Sequence, residues 1–477
     1  MGKQSREKRE RLAGRSPTES EREVGRFKFQ SGLEKTCLFV ITWGTYLVLF
    51  TPLIINTRFF FPFVAPKTVF FRIIVEIILL AYIFLATAQR SYRPKINALT
   101  IALTVFLGIF ILASFTGINL HRSFWSTNER MTGIFTMLHL FAFFLILTST
   151  FKERKEWERV FGVSIIVGVI LCLYILTGNQ ISTRGGGTIG NTSFMAAYLL
   201  FDIFFAIILF LSKRGAWQIF SGVCLAIMLP VFFTSSARGA VTSFFGGLFL
   251  LGLGYLIFSQ KLALKRLALA IVLALVIFGI FSAIIQLSFV KDGAAATLEE
   301  MSSRFAVWEK GWKGFLERPI LGWGPENFIV VFSKYFNPCM FSSCGGEIWF
   351  DRVHNIVLDT LVTTGLVGFL SYLAIFGVAV FGLLRLVPKI TERRHIFFPL
   401  GLIVLLLVYF FQNLFVFDMI NTYLVFFLSL GFISFLTQHQ PVEEKEVKIR
   451  RVNPVFGSLI VIVTIFVLWL GNIQPLT

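Results

Sequence analysis

Asn97-Ala-Leu-Thr-Ile-Ala-Leu-Thr-Val-Phe-Leu-Gly-Ile-Phe-Ile-Leu-Ala-Ser-Phe-Thr-Gly117 contains no charged residue. About 20 apolar residues in a helix cross the hydrocarbon core of a bilayer, so this run reads as a membrane span. Similar runs lie near 36–56, 66–88, 131–150, 160–177, 193–212, 216–234, 239–258 and 263–289. After a long interruption come 354–384, 396–416, 419–437 and 455–472, which brings the candidates to thirteen. Composition agrees: 56% of the 477 residues are hydrophobic and 15% charged, with mean hydropathy +0.78. A soluble globular protein carries about 25% charged residues. Soluble multidomain, disordered and disulfide-scaffold architectures are excluded, and the 58 Phe fit lipid-facing helices. The expected fold is an all-α polytopic membrane protein of about 13 transmembrane helices.

The net charge of +18 invites a nucleic-acid reading, but the basic residues sit between apolar runs rather than in one stripe. No nucleic-acid partner is expected. With the N-terminus in the cytoplasm, 30 of the 44 Lys and Arg fall in cytoplasmic segments, and half of the rest lie in one long loop. Excess Lys and Arg in short loops marks the cytoplasmic side. The expected organisation is a cytoplasmic basic tail over 1–35, a multi-span domain over 36–437, a cytoplasmic charged linker over 438–453 and an additional C-terminal span over 455–472. Residues 1–35 lack a short apolar core followed by a small-residue cleavage site, so they do not read as a signal peptide.

The loop 290–353 is far longer than an ordinary connection, and such loops are functional or disordered. It holds four of the nine tryptophans, Trp308, Trp312, Trp323 and Trp349, which argues against disorder. Over 299–316, Met301, Phe305, Trp308, Trp312 and Phe315 recur at helical spacing, with Glu309, Lys310, Lys313 and Glu317 on the opposite face. An amphipathic helix lying at the membrane surface follows. Arg304 sits at the edge of the apolar stripe, aimed either at lipid phosphate or at a substrate. Cys339 and Cys344 are expected to close a small loop as a disulfide; no metal is expected there, because further thiols or histidines are not close by.

The loop ends in Phe350-Asp351-Arg352-Val353-His354-Asn355 at the start of a span. Asp351 can cap that helix, which would leave His354 in its first turn. Unpaired N–H groups there attract phosphate, and their positive field keeps a nearby imidazole neutral, as a base requires. The alternative is a histidine that only hydrogen-bonds at the interface. Arg238, in Thr234-Ser-Ser-Ala-Arg238-Gly239, occupies a tight turn between two spans, where a charge marks a candidate functional site. Arg184-Gly-Gly-Gly-Thr-Ile-Gly-Asn191 is either a flexible linker or an anion-accepting turn. Within the spans, Arg72 and Glu76 are expected to neutralise each other at i,i+4.

In this order the elements resemble the O-antigen ligase / Wzy-type polymerase superfamily. The matching pieces are Gly190-Asn191-Thr-Ser-Phe-Met-Ala-Ala, Ser-Ala-Arg238-Gly-Ala, Ser-Arg304-Phe-Ala-Val-Trp308, Pro319-Ile-Leu-Gly-Trp-Gly-Pro-Glu-Asn-Phe328 and His354-Asn355-Ile-Val-Leu-Asp-Thr-Leu-Val-Thr-Thr-Gly-Leu-Val-Gly-Phe. The resemblance spans roughly 160–435. It implies a GT-C-like bundle and a metal-independent, inverting membrane glycosyltransferase without cofactor in a bacterial plasma membrane. It also implies a polyprenyl-pyrophosphate-linked glycan donor and a lipid, glycan or protein acceptor at the outer face. The family's usual bundle has about twelve spans, so a thirteenth departs from it.

The residues fit that chemistry. Arg238 and Arg304 would clamp the pyrophosphate, since guanidinium pairs bidentately with phosphate. His354 would accept the proton of the acceptor hydroxyl, with an acidic limb near neutrality in its pH profile. Asp351, Arg352, Asn355, Arg184, Asn191 and Trp308 are candidates for supporting or substrate contacts, the tryptophan by sugar stacking or by interface anchoring. Within the family, ligase, polymerase and protein O-oligosaccharyltransferase differ in the acceptor. Outside it, a transporter of lipid-linked glycan is the alternative; it would want an internal repeat and polar residues through mid-membrane.

Overall fold

The computed structural model describes residues 19–178, 182, 184–235, 237–258, 263, 295–341, 348–438 and 454–473. The expected span over 263–289, the Cys339–Cys344 bond, the linker beyond Gln438 and residues 1–18 of the tail lie outside the described residues.

Apolar runs become helices because a helix satisfies its own backbone groups where no water can. In chain order these are α1 (Glu19–Val48), α2 (Ala65–Ala88), α3 (Ala98–Thr116), the short α4 (Leu120–Trp125), α5 (Ile134–Thr150), α6 (Arg154–Leu176), α7 (Thr192–Ser212), α8 (Ala216–Thr234) and α9 (Arg238–Ile257). The loop region then contributes α10 (Ala295–Glu317) and α11 (Phe328–Lys334). Last come α12 (Ile356–Leu386), α13 (Phe397–Gln412), α14 (Ile420–Thr437) and α15 (Pro454–Leu468). Among the described residues no strand forms, and nine helices are long and apolar enough to cross a membrane. The helix α5 and the 461–472 segment are apolar but shorter. The protein is an all-α polytopic membrane protein. The first span is continuous in α1 with part of the expected basic tail.

The helices α7 and α14 are buried along most of their length, whereas α8 and α9 lie at the rim. Phenylalanine is a core residue here as well as a lipid-facing one. Phe143, Phe144, Phe161, Phe201, Phe204 and Phe205 are fully enclosed, and Phe161 stacks on Phe205 at 4.4 Å and meets Phe432 edge-on at 4.9 Å. Helix-spaced rings interlock between helices as readily as they face lipid, which composition alone does not reveal.

Arg72 and Glu76 act on each other by charge, as the i,i+4 spacing suggested, but make no direct ion pair among the described residues. The Arg72 guanidinium donates to Thr136 Oγ1 from Nε and Nη2, at 3.1 and 2.6 Å. Glu76 is taken by His139 Nε2 at 2.8 Å and by Asn472 Nδ2 at 3.1 and 3.0 Å. Partners from other helices offer better-directed bonds than one surface neighbour, and they tie the turn that ends the α15 segment onto α2.

The long loop builds a second, smaller core from Val307, Trp323, Phe328, Val331, Phe332, Phe350, Val353 and Val362. The face of α10 turned into it is lined by glycine. Gly311 lies against Val353 and Leu358, and Gly314 against Val331 and Val362. Phe305 and Trp312 remain exposed, as a membrane-surface helix requires. Lys310 departs from the expected exposed face: it is buried, donates to Ala306 O at 3.1 Å and lies 5.5 Å from the Phe332 ring. The long stem buries readily when the ammonium keeps a carbonyl partner.

The Pro319–Gly324 turn is fixed by a break in α12. Gly365 takes φ +68, a conformation open to glycine, and opens the helix. Trp323 N and Gly324 N then donate to Val362 O and Thr363 O, each at 2.9 Å, and Leu366 N donates back to Pro319 O at 2.7 Å.

Candidate functional site

His354 stands just before α12, at φ +57. The expected Asp351 cap is not formed. Asn355 is the N-cap, its Oδ1 accepting from Val357 N at 3.0 Å and Leu358 N at 3.2 Å. His354 therefore lies outside the first turn. Asn355 is next to the helix and can reach those two amides, whereas Asp351 is drawn away by an arginine.

The imidazole is partly buried between the edges of Phe350 and Phe417, at ring distances of 5.5 and 4.9 Å. Its Nδ1 lies 3.1 Å from Arg352 O. A carbonyl can only accept, so Nδ1 carries the proton and Nε2 keeps its lone pair. Burial first, and the cations Arg304 and Arg130 after it, outweigh the Arg352 carbonyl and Asp351 and lower the pKa to about 4. A neutral imidazole with a free Nε2 is what a general base needs.

Arg304, on α10, turns inward to donate from Nη1 to Phe415 O at 3.3 Å. Arg238 is the first residue of α9 and is exposed, with no hydrogen-bond or ion-pair partner among the described residues. Its neighbour Gly239 packs close to this turn: a methyl there would lie tightly against Gln412 Oε1 at 3.1 Å and in ordinary contact with Phe415 Cβ at 3.6 Å. The Phe415 segment thus has the start of α9 on one side and Arg304 on the other. Phe417, two residues on, carries His354.

Asn191 caps α7 by accepting from Ser193 N and Phe194 N at 2.8 and 3.4 Å. The Phe194 ring meets Phe417 at 5.1 Å, which brings the start of α7 to the same site. The glycine stretch before it is no loose linker. Gly185, Gly186, Gly187 and Gly190 all take positive φ, and the turn is buried. Lys67 Nζ donates to Thr188 O and Ile54 O, both at 2.5 Å. Arg184 is exposed at its edge. Trp308 sits one helical turn beyond Arg304 against Phe305 at 5.4 Å, with no hydrogen-bond partner for its buried Nε1 among the described residues.

Arg352 points away from His354. It donates to Asp359 Oδ2 at 3.2 Å and Thr132 Oγ1 at 2.8 Å, and pairs with Glu326. Burial opposes its charge, but Glu326 and Asp359 hold the guanidinium more firmly protonated than usual. Asp351 is bound bidentately by Arg130, Nε to Oδ2 at 2.7 Å and Nη2 to Oδ1 at 2.9 Å. Burial would raise its carboxyl, yet the bonds and charge of Arg130, with Arg352 behind, keep it below the usual range.

Sequence reasoning passed over the segment 118–133, which these contacts make part of the site. Ser126 Oγ and Thr132 Oγ1 donate to Glu326 at 2.7 and 3.0 Å, Ser123 Oγ donates to Pro325 O at 2.7 Å, and the Arg130 guanidinium lies 4.7 Å over the Phe417 ring. The signal present was a cluster of polar residues, Ser126-Thr-Asn-Glu-Arg130, in an otherwise short connection. Asp418 was missed too. It accepts from Tyr409 Oη at 2.7 Å and Asn413 Nδ2 at 2.8 Å, and burial pushes its carboxyl up to about 6.

The class defined so far is a multi-span membrane protein with a neutral histidine and cationic groups gathered at one end of the bundle. Residues 223–373 match the family model Wzy_C, described as O-antigen ligase. This segment is similar to the O-antigen ligase family, and Arg238, Arg304 and His354 all fall inside it. The match and the apolar helices support, at the general level, a multi-pass O-antigen ligase- or polymerase-like membrane enzyme. Comparison with curated proteins finds no match.

Proposed function

We propose that the protein transfers a glycan from a polyprenyl-pyrophosphate carrier to an acceptor hydroxyl at the outer face of the plasma membrane. The N-terminus and the basic linker over 438–453 lie in the cytoplasm. One observation carries the mechanism: His354, with an unprotonated Nε2, packs on Phe417, two residues from Phe415, which both Arg304 and the start of α9 reach.

The acceptor hydroxyl oxygen attacks the anomeric carbon as His354 Nε2 takes its proton. The bond from that carbon to the phosphate oxygen breaks, and the polyprenyl pyrophosphate leaves with the electron pair. Attack from the face opposite the leaving group inverts the anomeric centre. Pyrophosphate is a good leaving group, so cations matter more than a general acid. Arg238 and Arg304 stabilise the charge that develops on the departing oxygen. Glycan, lipid and protein hydroxyls all suit this chemistry, and ligase activity is the leading form.

The test is transfer by the purified protein in nanodiscs, given a polyprenyl-pyrophosphate oligosaccharide and a mixed acceptor pool with chelator present. Chelator-resistant transfer that is lost in folded His354→Ala supports the assignment. Unchanged transfer in that variant removes His354 as the base. Donor lipid crossing the bilayer at the same rate with or without the substitution would favour a transporter.

A further inference from the structure

We infer that Arg130 is a positioning residue for His354, acting through its bidentate grip on Asp351 and its seat over Phe417. This rests on the glycan-transfer reading of the same site.

Phe350 and Phe417 flank the imidazole from two different elements, and each is tied to Arg130. The first adjoins Asp351, which Arg130 holds at 2.7 and 2.9 Å. The second lies beneath the guanidinium at 4.7 Å and against the imidazole at 4.9 Å. One side chain from the α4–α5 connection therefore joins the α12 lead-in to the α13–α14 turn, with His354 between them. A planar fork can do both, binding a carboxylate in its plane and an aromatic ring on its face, and lysine cannot. The fork has a third contact, to Glu129 Oε1 at 3.1 Å.

The charged groups around His354 come from several elements. Arg304 approaches from α10, Arg130 and Glu129 from the α4–α5 connection, and Asp351 and Arg352 from its own strand of chain, with Arg352 turned toward Glu326 and Asp359. Arg238 is exposed at the start of α9, and Asp418 is turned to Tyr409 and Asn413. Removing Arg130 takes away a cation and bares the Asp351 carboxylate, so His354 should hold its proton more tightly. Removing the Asp351 charge leaves the cation alone and acts in the opposite sense.

The experiment follows the His354 ring by NMR in histidine-labelled protein, with the signal assigned through His354→Gln, alongside transfer kinetics. Arg130→Gln should raise the titration midpoint by about 1 pH unit, the low end for an unpaired neighbouring charge. Asp351→Asn should lower it, and the double variant should return toward wild type. Arg130→Lys keeps the charge without the fork. It should leave the midpoint near wild type while lowering kcat at least tenfold with donor KM within twofold. Midpoints that move the same way in Arg130→Gln and Asp351→Asn would mean general loosening and overturn the inference. So would an unmoved midpoint in Arg130→Gln, or wild-type kcat in Arg130→Lys. If Arg130→Gln does not fold, Arg130→Lys and Asp351→Asn decide alone. If wild type titrates as described but transfers no glycan, the positioning role stands and the transferase reading falls.

Discussion

His354 illustrates how far a single residue's environment outweighs its type. An ordinary histidine titrates near 6.5, which is why a base of this kind suggests an acidic limb close to neutrality. Here burial, with Arg304 and Arg130 adding to it, lowers the value to about 4. The folded value lies below the unfolded one, so the imidazole is already neutral at pH 6 and charges only as pH falls toward 4. Transfer should therefore stay flat from about pH 8 to pH 5.5 and fall below that, read as kcat/KM against pH. A limb near 6.5 would show that His354 is less enclosed than it is here. Arg352 makes the opposite kind of residue-level prediction. Its partners Glu326 and Asp359 are both buried, and removing one side of a buried pair costs about 3–5 kcal/mol. Arg352→Met should lower the thermal unfolding midpoint clearly, and adding Glu326→Gln with Asp359→Asn should recover part of the loss. Asp351, Arg352 and Asn355 were candidates of equal standing in the sequence, since adjacent residues share one local environment there. Side-chain direction separates them: one is gripped by Arg130, one is turned to Glu326, and one caps a helix.

Helix α12 supplies the site at one end and receives the Pro319–Gly324 turn in its middle. Asn355 satisfies two of its free amides, and losing such a cap costs about 1 kcal/mol. Asn355→Ala should lower the unfolding midpoint modestly and reduce kcat more than donor KM, because His354 is the next residue. Gly365→Ala should be far more damaging. A backbone conformation reserved for glycine costs about 1–3 kcal/mol for a residue with Cβ, and the new methyl would come 2.1 Å from Ile320 O. The expected outcome is a loss of the Trp323 packing, checked by the indole fluorescence as well as by yield. The two motifs, Pro-Ile-Leu-Gly-Trp-Gly-Pro and the Thr-Thr-Gly-Leu-Val-Gly stretch, are thus two halves of one joint. Their order was legible in the chain; their pairing was not, because it uses backbone groups freed by the break at Gly365.

At the scale of the whole molecule, the bundle is tied together by polar groups that lipid cannot satisfy. Asn472 closes the α15 segment onto α2 by donating to both oxygens of Glu76, while His139 holds the same carboxylate from α5. Asn472→Leu should raise hydrogen–deuterium exchange over 454–473, since it removes both bonds to Glu76. Equal exchange in the variant would mean that apolar packing, including Gly471 against Phe135, holds the helix unaided.

The sequence by itself determined the all-helical membrane class and the position of most spans, and it nominated Arg238, Arg304 and His354 as site candidates. Span length and charge exclusion are local consequences of bilayer thickness, and the ordered motifs are read along one dimension. Tertiary structure alone decided that Arg130, Glu326 and Phe417 lie around them, that Glu76 is bonded by His139 and Asn472, and that Lys310 is buried. These depend on which helix faces which. A residue's bonding partner across the bundle is fixed by packing, and the spacing of residues along the chain carries no record of it.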